Sequence, residues 1–237
     1  MNRVEAAIRE HGAPLLGMCA YQYNPIFVEL VARLGAQVLW IELEHQPITL
    51  AQAADLCRIA SGVGLLTMIR IPDARRDNVL RAAELVRHGK YPPIGERGCF
   101  GASRAVRYGL FDDMVAEQQR VNRDLCLMAQ IETREALDQV EAICRVPGLD
   151  AIFIGPSDLS AALGVTGQMG DPILREAMDR IIGAEKRHGK LLALPGSPTE
   201  AGQWAAKGVD LLFLASDVAC MRLGAQTLLK QARESLG

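Results

Sequence analysis

The chain has 237 residues, of which 49% are hydrophobic, 23% are charged and 5% are aromatic. A chain of this size buries roughly 70–75% of the surface that its unfolded form exposes, which excludes a disordered chain, a disulfide-stapled miniprotein and a fibrous repeat. The formal net charge is −2, from 26 Lys and Arg against 28 Asp and Glu. Because this balance leaves no basic footprint, we expect neither a nucleic acid nor a membrane as a partner.

Cysteine usage and the amino terminus indicate the compartment. The six cysteines are scattered without a CxxC pair, and several lie in apolar runs, as is typical of reduced thiols. The first 12 residues carry charges and no apolar core of a secretory signal. No apolar run approaches the roughly 18–20 residues that cross a bilayer. These features predict a cytoplasmic protein. The six cysteines are Cys19, Cys57, Cys99, Cys126, Cys144 and Cys220.

Short apolar runs alternate with segments of helical spacing along the whole chain. The predicted strands are 14–20, 37–41, 65–71, 125–131, 150–154, 191–194 and 209–214. The predicted helices are 26–34, 50–60, 78–88, 112–121, 134–144, 173–188, 200–207 and 220–236. Nearly continuous apolar strands have both faces covered, as in a parallel sheet flanked by helices. The pattern predicts an α/β fold, a (β/α)₈ TIM-type barrel forming one domain over 1–237, with a doubly wound sheet as the alternative.

The strand count is one short of eight. Between residues 71 and 125 the sequence offers two helical segments and a Pro- and Gly-rich loop at 89–109, but no apolar strand. A βα unit takes roughly 30 residues of a typical barrel. We therefore expect one βα unit, around strand four, to be missing from the sequence near Ala82–Glu84, although an irregular barrel remains an alternative.

Two carboxylates follow neighbouring predicted strands. Glu132 comes directly after strand 125–131, and Asp158 follows strand 150–154. Neighbouring strands lie about 4.8 Å apart, so two hard oxygen ligands there suit a divalent cation such as Mg²⁺ or Mn²⁺. The alternative is that both residues cap the helices that follow them.

A histidine and an arginine follow two other predicted strands. His45, with Glu42 and Glu44 nearby, is a candidate general base; the alternative is a histidine hydrogen-bonded within a loop. Arg70 could clamp a carboxylate or stabilise an enolate oxygen. Its alternative role is an ion pair with Glu44 or Asp73.

The lysines argue against one type of chemistry. A Schiff-base aldolase needs a desolvated lysine within the barrel mouth. The chain has five lysines, and none follows the carboxyl end of a predicted strand. The sequence therefore favours metal-assisted chemistry over a Schiff base.

Several stretches resemble the HpcH/HpaI aldolase family: IELEHQP at 41–47, MIRIP at 68–72, KYPPIGERGCFGASRAVRYG at 90–109, AQIETREAL at 129–137 and FIGPSDLSAALG at 153–164. The resemblance implies reversible aldol cleavage of a 4-hydroxy-2-oxo acid to pyruvate and an aldehyde. It also implies a (β/α)₈ barrel that assembles as a homohexamer, a trimer of domain-swapped dimers.

The resemblance assigns roles to particular residues. Glu132 and Asp158 would hold a divalent metal, Mg²⁺, Mn²⁺ or Co²⁺. His45 would be the base, with Glu42 as its partner, and Arg70 would stabilise the enolate oxygen. Three residues would contact the substrate, namely Gln130, Ser157 and Asp158.

Two features depart from the family pattern. Glu42 stands where relatives carry Asp, which places the carboxylate about one methylene further out. The fourth strand is missing, which removes part of the pocket wall. Two other functions therefore stay open: an acyl-CoA lyase of the citrate-lyase-type barrels, and a non-catalytic barrel that binds a 2-oxo acid.

Overall fold

The computed structural model describes residues 1–71 and 79–236. Its strands are β1 (Leu15–Ala20), β2 (Val38–Glu42), β3 (Leu66–Arg70), β4 (Met128–Ile131), β5 (Ala151–Ile154), β6 (Leu191–Pro195) and β7 (Leu211–Ser216). Each coincides with one of the seven predicted strands, and the ladders between them are parallel. The α/β class and the parallel sheet are therefore confirmed, while closure into an eight-stranded barrel stays a prediction.

The helices account for most of the remaining chain. They are α1 (Arg3–His11), α2 (Pro25–Arg33), α3 (Leu50–Gly62), α4 (Val79–Gly89), α5 (Met114–Asp124), α6 (Arg134–Asp138), α7 (Val140–Cys144), α8 (Pro156–Ala162), α9 (Pro172–His188), α10 (Ala201–Ala206) and α11 (Asp217–Leu236), with 3-10 turns at Arg104–Gly109 and Pro198–Glu200. The predicted helix at 134–144 is two helices, because Gln139 adopts φ −101° and ψ 8° between them. The predicted start of α4, at Asn78, lies outside the described residues.

The chain divides into two compact units. The first comprises Met1–Ala13, Arg75–Leu194 and Ala205–Asp210; the second comprises Pro14–Ala74, Pro195–Trp204 and Leu211–Gly237. The single domain over 1–237 stays a prediction.

In the first unit, β5 lies between β4 and β6. All four residues of β5 are buried, and α9 packs against this strand. The helix contributes the buried apolar residues Leu174, Ala177, Met178, Ile181, Ile182 and Ala184. Within the described part of this unit, residues 79–124 contain no strand, as the sequence predicts, and β4 begins three residues later than predicted.

In the second unit, the strands follow the order β3, β2, β1, β7. One face of this sheet packs against α2 and α3, because Leu39 and Ile41 of β2 join a buried cluster with Phe27, Val28 and Leu56. Side chains of a strand alternate between the two faces. The opposite face therefore carries the other residues of β2 and their register partners on β1 and β3, namely Cys19, Trp40, Glu42, Met68 and Arg70.

An aromatic contact fills that second face. The rings of Trp40 and Phe213 meet edge to face with centroids 5.4 Å apart. Gly17 is required beside them, because a Cβ on this residue would lie 2.5 Å from the Phe213 ring. The polar residues of the face, Glu42 and Arg70, then come at the carboxyl ends of their strands.

Candidate active site

The predicted site residues fall into two groups. Glu42, His45 and Arg70 belong to the second unit, and Gln130, Glu132, Ser157 and Asp158 belong to the first. In both units they lie at the carboxyl ends of the parallel strands or directly after them. This is the edge where α/β proteins place their ligands and catalytic groups.

Glu42 is the centre of the group in the second unit. It is the last residue of β2 and pairs in register with Arg70, the last residue of β3. Although it carries a carboxylate, Glu42 is only 2% exposed. Its Oε1 accepts hydrogen bonds from the backbone N–H groups of Glu44 at 2.7 Å and His45 at 3.2 Å. The carboxylate therefore fixes the turn that carries His45.

The His45 ring is close to this carboxylate but does not hydrogen-bond to it. Its Nδ1 lies 3.8 Å from Glu42 Oε1, and the side chain is 55% exposed. This distance is an ion-pair contact and is too long for a hydrogen bond. The predicted neighbourhood of His45 and Glu42 is present, and the ring is free to approach a ligand from the solvent side.

Arg70 is held between two carboxylates. Its Nε lies 2.5 Å from Glu44 Oε2, and its Nη1 lies 3.7 Å from Glu42 Oε2. The ion pair with Glu44, which the sequence offered as an alternative role, is therefore formed; Asp73 lies outside the described residues. The guanidinium side chain is 13% exposed, so it reaches solvent only over a small area.

Asp217 is a residue of this group to which the sequence analysis gave no role. It begins α11 directly after β7 and is fully buried. Its two carboxylate oxygens accept the backbone N–H groups of Tyr21 and Gln22, both at 3.1 Å. The buried carboxylate thus fastens the loop after β1 to the start of α11. The feature of the sequence that could have identified Asp217 is its position just after the last strand.

In the first unit, Gln130 and Glu132 form a pair at the end of β4. The Gln130 amide Nε2 donates a hydrogen bond to Glu132 Oε2 and so orients the carboxylate. Gly155, which follows β5, lies against both side chains. A Cβ on Gly155 would be 2.7 Å from Glu132 Oε2 and 2.8 Å from Gln130 Nε2. The carboxylate is therefore seated over a glycine that has no room for a side chain.

The structure rejects helix capping as the role of Glu132. The residue that caps α6 is Thr133, whose side chain accepts from the N–H of Ala136 at 3.1 Å. Gly155 is the N-cap position of α8, and Asp158 lies exposed in the first turn of that helix beside exposed Ser157. Neither carboxylate therefore caps a helix; Glu132 directly follows β4, and Asp158 lies in the helix that follows β5.

One cluster of three metal-ligating side chains occurs in the described part of the chain. The cluster consists of Glu42, Glu44 and His45, which each offer one ligand atom, and these three atoms lie within 4.8 Å of one another. The Arg70 guanidinium is already bound to this cluster and supplies its positive charge. Glu132 and Asp158 are not members of this cluster.

Burial raises the pKa of two side chains around the Glu42 group. The pKa of the Cys19 thiol is raised, first by burial and then by the nearby Glu42 and Asp217 carboxylates. The pKa of Tyr21 is raised to about 12, again mainly by burial, while Arg70 acts in the opposite direction. Both groups therefore stay protonated at neutral pH, and Cys19 is no candidate nucleophile.

Comparison with known proteins identifies the family. The family model described as HpcH/HpaI aldolase/citrate lyase matches residues 16–223. The 5-keto-4-deoxy-D-glucarate aldolase of Klebsiella pneumoniae is 29% identical, over 96% of this chain and 95% of its own. An HpcH/HpaI aldolase structure from Desulfitobacterium hafniense superposes with a TM-score of 0.89 at 25% identity, covering 97% of this chain and 96% of that one.

The citrate-lyase branch is more distant in structure. The CitE protein of Mycobacterium tuberculosis, solved with magnesium and acetate, gives a TM-score of 0.53 at 17% identity, over 91% of this chain and 88% of that chain. This likeness concerns the fold alone. The sequence resemblance to the aldolases is confirmed: the chain belongs to the HpcH/HpaI aldolase/citrate lyase family and is a carbon–carbon lyase.

Proposed function

We propose that the protein is a divalent-metal-dependent aldolase, which reversibly cleaves a 4-hydroxy-2-oxo acid to pyruvate and an aldehyde. The observation that carries this proposal is the seated carboxylate of Glu132, oriented by Gln130 over Gly155. An exposed Asp158 lies in the first turn of α8, the helix that follows the neighbouring strand β5. Two oxygen donors at the ends of adjacent strands fit Mg²⁺ or Mn²⁺, and Co²⁺ is a further candidate.

Glu132 and Asp158 would hold the cation. A bound divalent cation would act as a Lewis acid on the 2-oxo group of the substrate. Gln130 would keep the Glu132 carboxylate in its ligating orientation through the amide hydrogen bond. The backbone N–H groups of Ser157 and Asp158, in the first turn of α8, would bind the substrate carboxylate, as helix N-termini do for anions.

Arg70 and His45 would act on the bonds that change. Cleavage of the C3–C4 bond leaves an electron pair on the pyruvate fragment, and the fixed charge of Arg70 would stabilise that enolate. His45 would take the proton from the 4-hydroxyl as the aldehyde leaves. Glu42 would support His45 by holding its backbone N–H and by lying 3.8 Å from its ring.

Turnover in a coupled assay tests the proposal. Cleavage of 4-hydroxy-2-oxo acids is followed by reducing the released pyruvate with lactate dehydrogenase and NADH. We expect turnover with Mg²⁺ or Mn²⁺ and none after EDTA, with recovery when metal is restored. Trapping of a pyruvate adduct by borohydride would contradict the proposal, because it would reveal a Schiff base. Calorimetric binding of pyruvate or oxalate without turnover on any substrate of a broad panel would favour a non-catalytic barrel.

A second copy of the chain is the proposed macromolecular partner. From Met221 to Leu236 every residue of α11 is exposed, and the exposed set includes Met221, Leu223, Leu228 and Leu229. Large exposed apolar surface of this kind supports an interface. A homohexamer is proposed, which sedimentation velocity would distinguish from a monomer or dimer.

Among the described residues, no helix has the length and apolar character that a membrane span requires.

Two further features of the proposal concern the compartment and the fold. No disulfide joins the six cysteines, all of which lie among the described residues, and this supports a reducing, cytoplasmic location.

Within the described residues, β3 pairs only with β2, and β4 pairs only with β5. We therefore propose an eight-stranded barrel from which one βα unit near residues 82–84 is missing. Inserting the corresponding unit of a relative there should raise the free energy of unfolding.

A further inference from the structure

Tyr21 occupies a position in the second unit that the proposed mechanism does not use. It comes directly after Ala20, the last residue of β1, which pairs in register with Ile41 of β2. Continuing this register by one residue places Tyr21 level with Glu42, which pairs in turn with Arg70. By the alternation of a strand, Tyr21 follows Cys19 onto the face of the sheet that carries Trp40 and Glu42.

The backbone of Tyr21 is fixed. Its N–H donates to Asp217 Oδ1, and the next N–H, of Gln22, donates to Asp217 Oδ2, both at 3.1 Å. Asp217 itself is fully buried and also accepts the N–H of Val218 at 2.8 Å. The backbone that carries the phenol is therefore fixed before a ligand arrives, which favours a specificity-determining role.

The surroundings of the phenol define what it can bind. Its electrostatic neighbours are Cys19, Glu42, Arg70 and Asp217, so the phenol lies among the charged groups of this strand edge. Among the described residues its hydroxyl has no hydrogen-bond partner, whereas its backbone N–H is paired. The hydroxyl stays protonated at neutral pH and can donate one hydrogen bond to an incoming oxygen.

The local charge selects the kind of oxygen. The carboxylates of Glu42 and Glu44 both contact the Arg70 guanidinium, and the Asp217 carboxylate is a further neighbour of the phenol, so carboxylates outnumber the guanidinium here. A second anionic group on the substrate would be repelled there. A neutral hydroxyl would not be repelled and could use the phenol donor.

We propose that Tyr21 determines specificity for the aldehyde half of the substrate, by donating a hydrogen bond to a hydroxyl of a neutral hydroxyaldehyde. The inference rests on the proposed function, in which Glu42 and His45 serve the 4-hydroxyl that becomes the aldehyde oxygen. Tyr21 neighbours both Glu42, which supports the base, and Arg70, and we assign its hydroxyl to the aldehyde half. Its removal should change the choice of aldehyde without changing the enolisation of pyruvate.

Aldol addition of pyruvate to glycolaldehyde and to acetaldehyde tests this inference, since the two aldehydes differ by one hydroxyl. We expect the wild-type protein to prefer glycolaldehyde, and Tyr21→Phe to lower the ratio of the two kcat/KM values about tenfold, or about 1.4 kcal/mol. Tyr23→Phe is the matched control, because the Tyr23 hydroxyl donates to Asp55 at 2.7 Å and faces that side chain instead. Thermal melting establishes that each variant is folded.

A second readout separates the aldehyde half from the pyruvate half. Exchange of the pyruvate methyl protons with deuterium oxide requires enolisation and no aldehyde, and Tyr21→Phe should leave its rate within twofold of wild type. An unchanged aldehyde ratio, or an exchange rate that falls together with aldol addition, would overturn the role of Tyr21. If the wild-type protein itself neither exchanges pyruvate nor adds it to an aldehyde, the proposed function fails, and this outcome is distinct from the other two.

Discussion

Arg70 carries two roles that a pair of substitutions can separate. In the structure it neutralises Glu42, a carboxylate that is 2% exposed, and in the proposed reaction it stabilises the enolate. Arg70→Met removes the charge and keeps much of the side-chain volume. It leaves Glu42 buried with two backbone N–H donors and, of its two ion-pair contacts, only the one to the exposed His45 ring. Adding Glu42→Gln removes the orphaned charge while the amide oxygen can still accept the same two hydrogen bonds.

The expected energies follow from the geometry. At the 3.7 Å separation of Glu42 Oε2 and Arg70 Nη1, the gross attraction is about 4–5 kcal/mol at an effective dielectric constant of about 20. Breaking a buried pair by removing one partner costs about 3–5 kcal/mol, whereas removing both charges together is often close to neutral. We therefore expect Arg70→Met to lower the free energy of unfolding by about 3 kcal/mol, and the double variant to recover more than half of that loss.

Urea denaturation followed by circular dichroism measures the stabilities, and the coupled pyruvate assay measures turnover. The double variant should be stable and yet at least about 100-fold less active than wild type, because the enolate has lost its fixed charge. Equal instability of the single and double variants would refute the assignment of Arg70 as the counter-ion of Glu42. Near-normal turnover in a stable double variant would refute its catalytic role.

Three further predictions concern the first unit. Lys90 is 3% exposed and donates hydrogen bonds to the carbonyls of Asn122 and Leu125 and to Asp150. Lys90→Met should therefore lower the free energy of unfolding, measured by urea denaturation, by about 3–5 kcal/mol. The control is Lys230→Met at an exposed position, which should lower it by less than about 0.5 kcal/mol. Burial, and to a lesser extent the Asp210 carboxylate, raises the pKa of Glu185 from 4.5 to about 7. The carboxyl therefore binds its proton more tightly in the folded state than in the unfolded state. The free energy of unfolding should fall as the pH rises from about 4.5 to 7. Glu185→Gln should flatten that slope in melts across pH and stabilise the protein at pH 8; an unchanged slope would contradict the burial argument. Gly155→Ala should weaken Mn²⁺ binding in calorimetry about 10–100-fold with little change in melting temperature, because its methyl group would displace Glu132 and Gln130; unchanged affinity would place the metal elsewhere.

The fold was largely predictable because several of its strands are apolar and buried on both faces. β2 and β5, for example, are buried along their whole length, and such runs are visible in the sequence without any periodicity. The prediction of one continuous helix at 134–144 was wrong. The break at Gln139 depends on the local backbone conformation, which the spacing of apolar residues does not reveal. Helix α8 begins without a side-chain cap hydrogen bond, so the usual start signal was absent there.

The sequence nominates residues for the candidate site, whereas several of the contacts that those residues make could not be predicted from it. Strand ends pointed to Glu42, His45, Arg70, Glu132 and Asp158, since parallel strands gather their carboxyl ends at one edge. Which carboxylate pairs with Arg70 depends on side-chain directions that spacing leaves open, and Glu44 rather than Glu42 is the nearer partner. The roles of Asp217 and Tyr21 depend on contacts between residues 196 positions apart, which no local pattern encodes.

Exchange of the pyruvate methyl protons, followed by NMR in deuterium oxide, tests the central claim most directly, because it isolates enolisation from the choice of aldehyde. With Mn²⁺ or Mg²⁺ the wild-type protein should exchange all three protons, and EDTA should stop the exchange reversibly. Glu132→Gln should lose exchange through loss of metal, and the double variant of Glu42→Gln with Arg70→Met should lose it with metal affinity retained. Undiminished exchange in EDTA, or in either variant, would contradict a metal-assisted enolisation served by these two groups of residues.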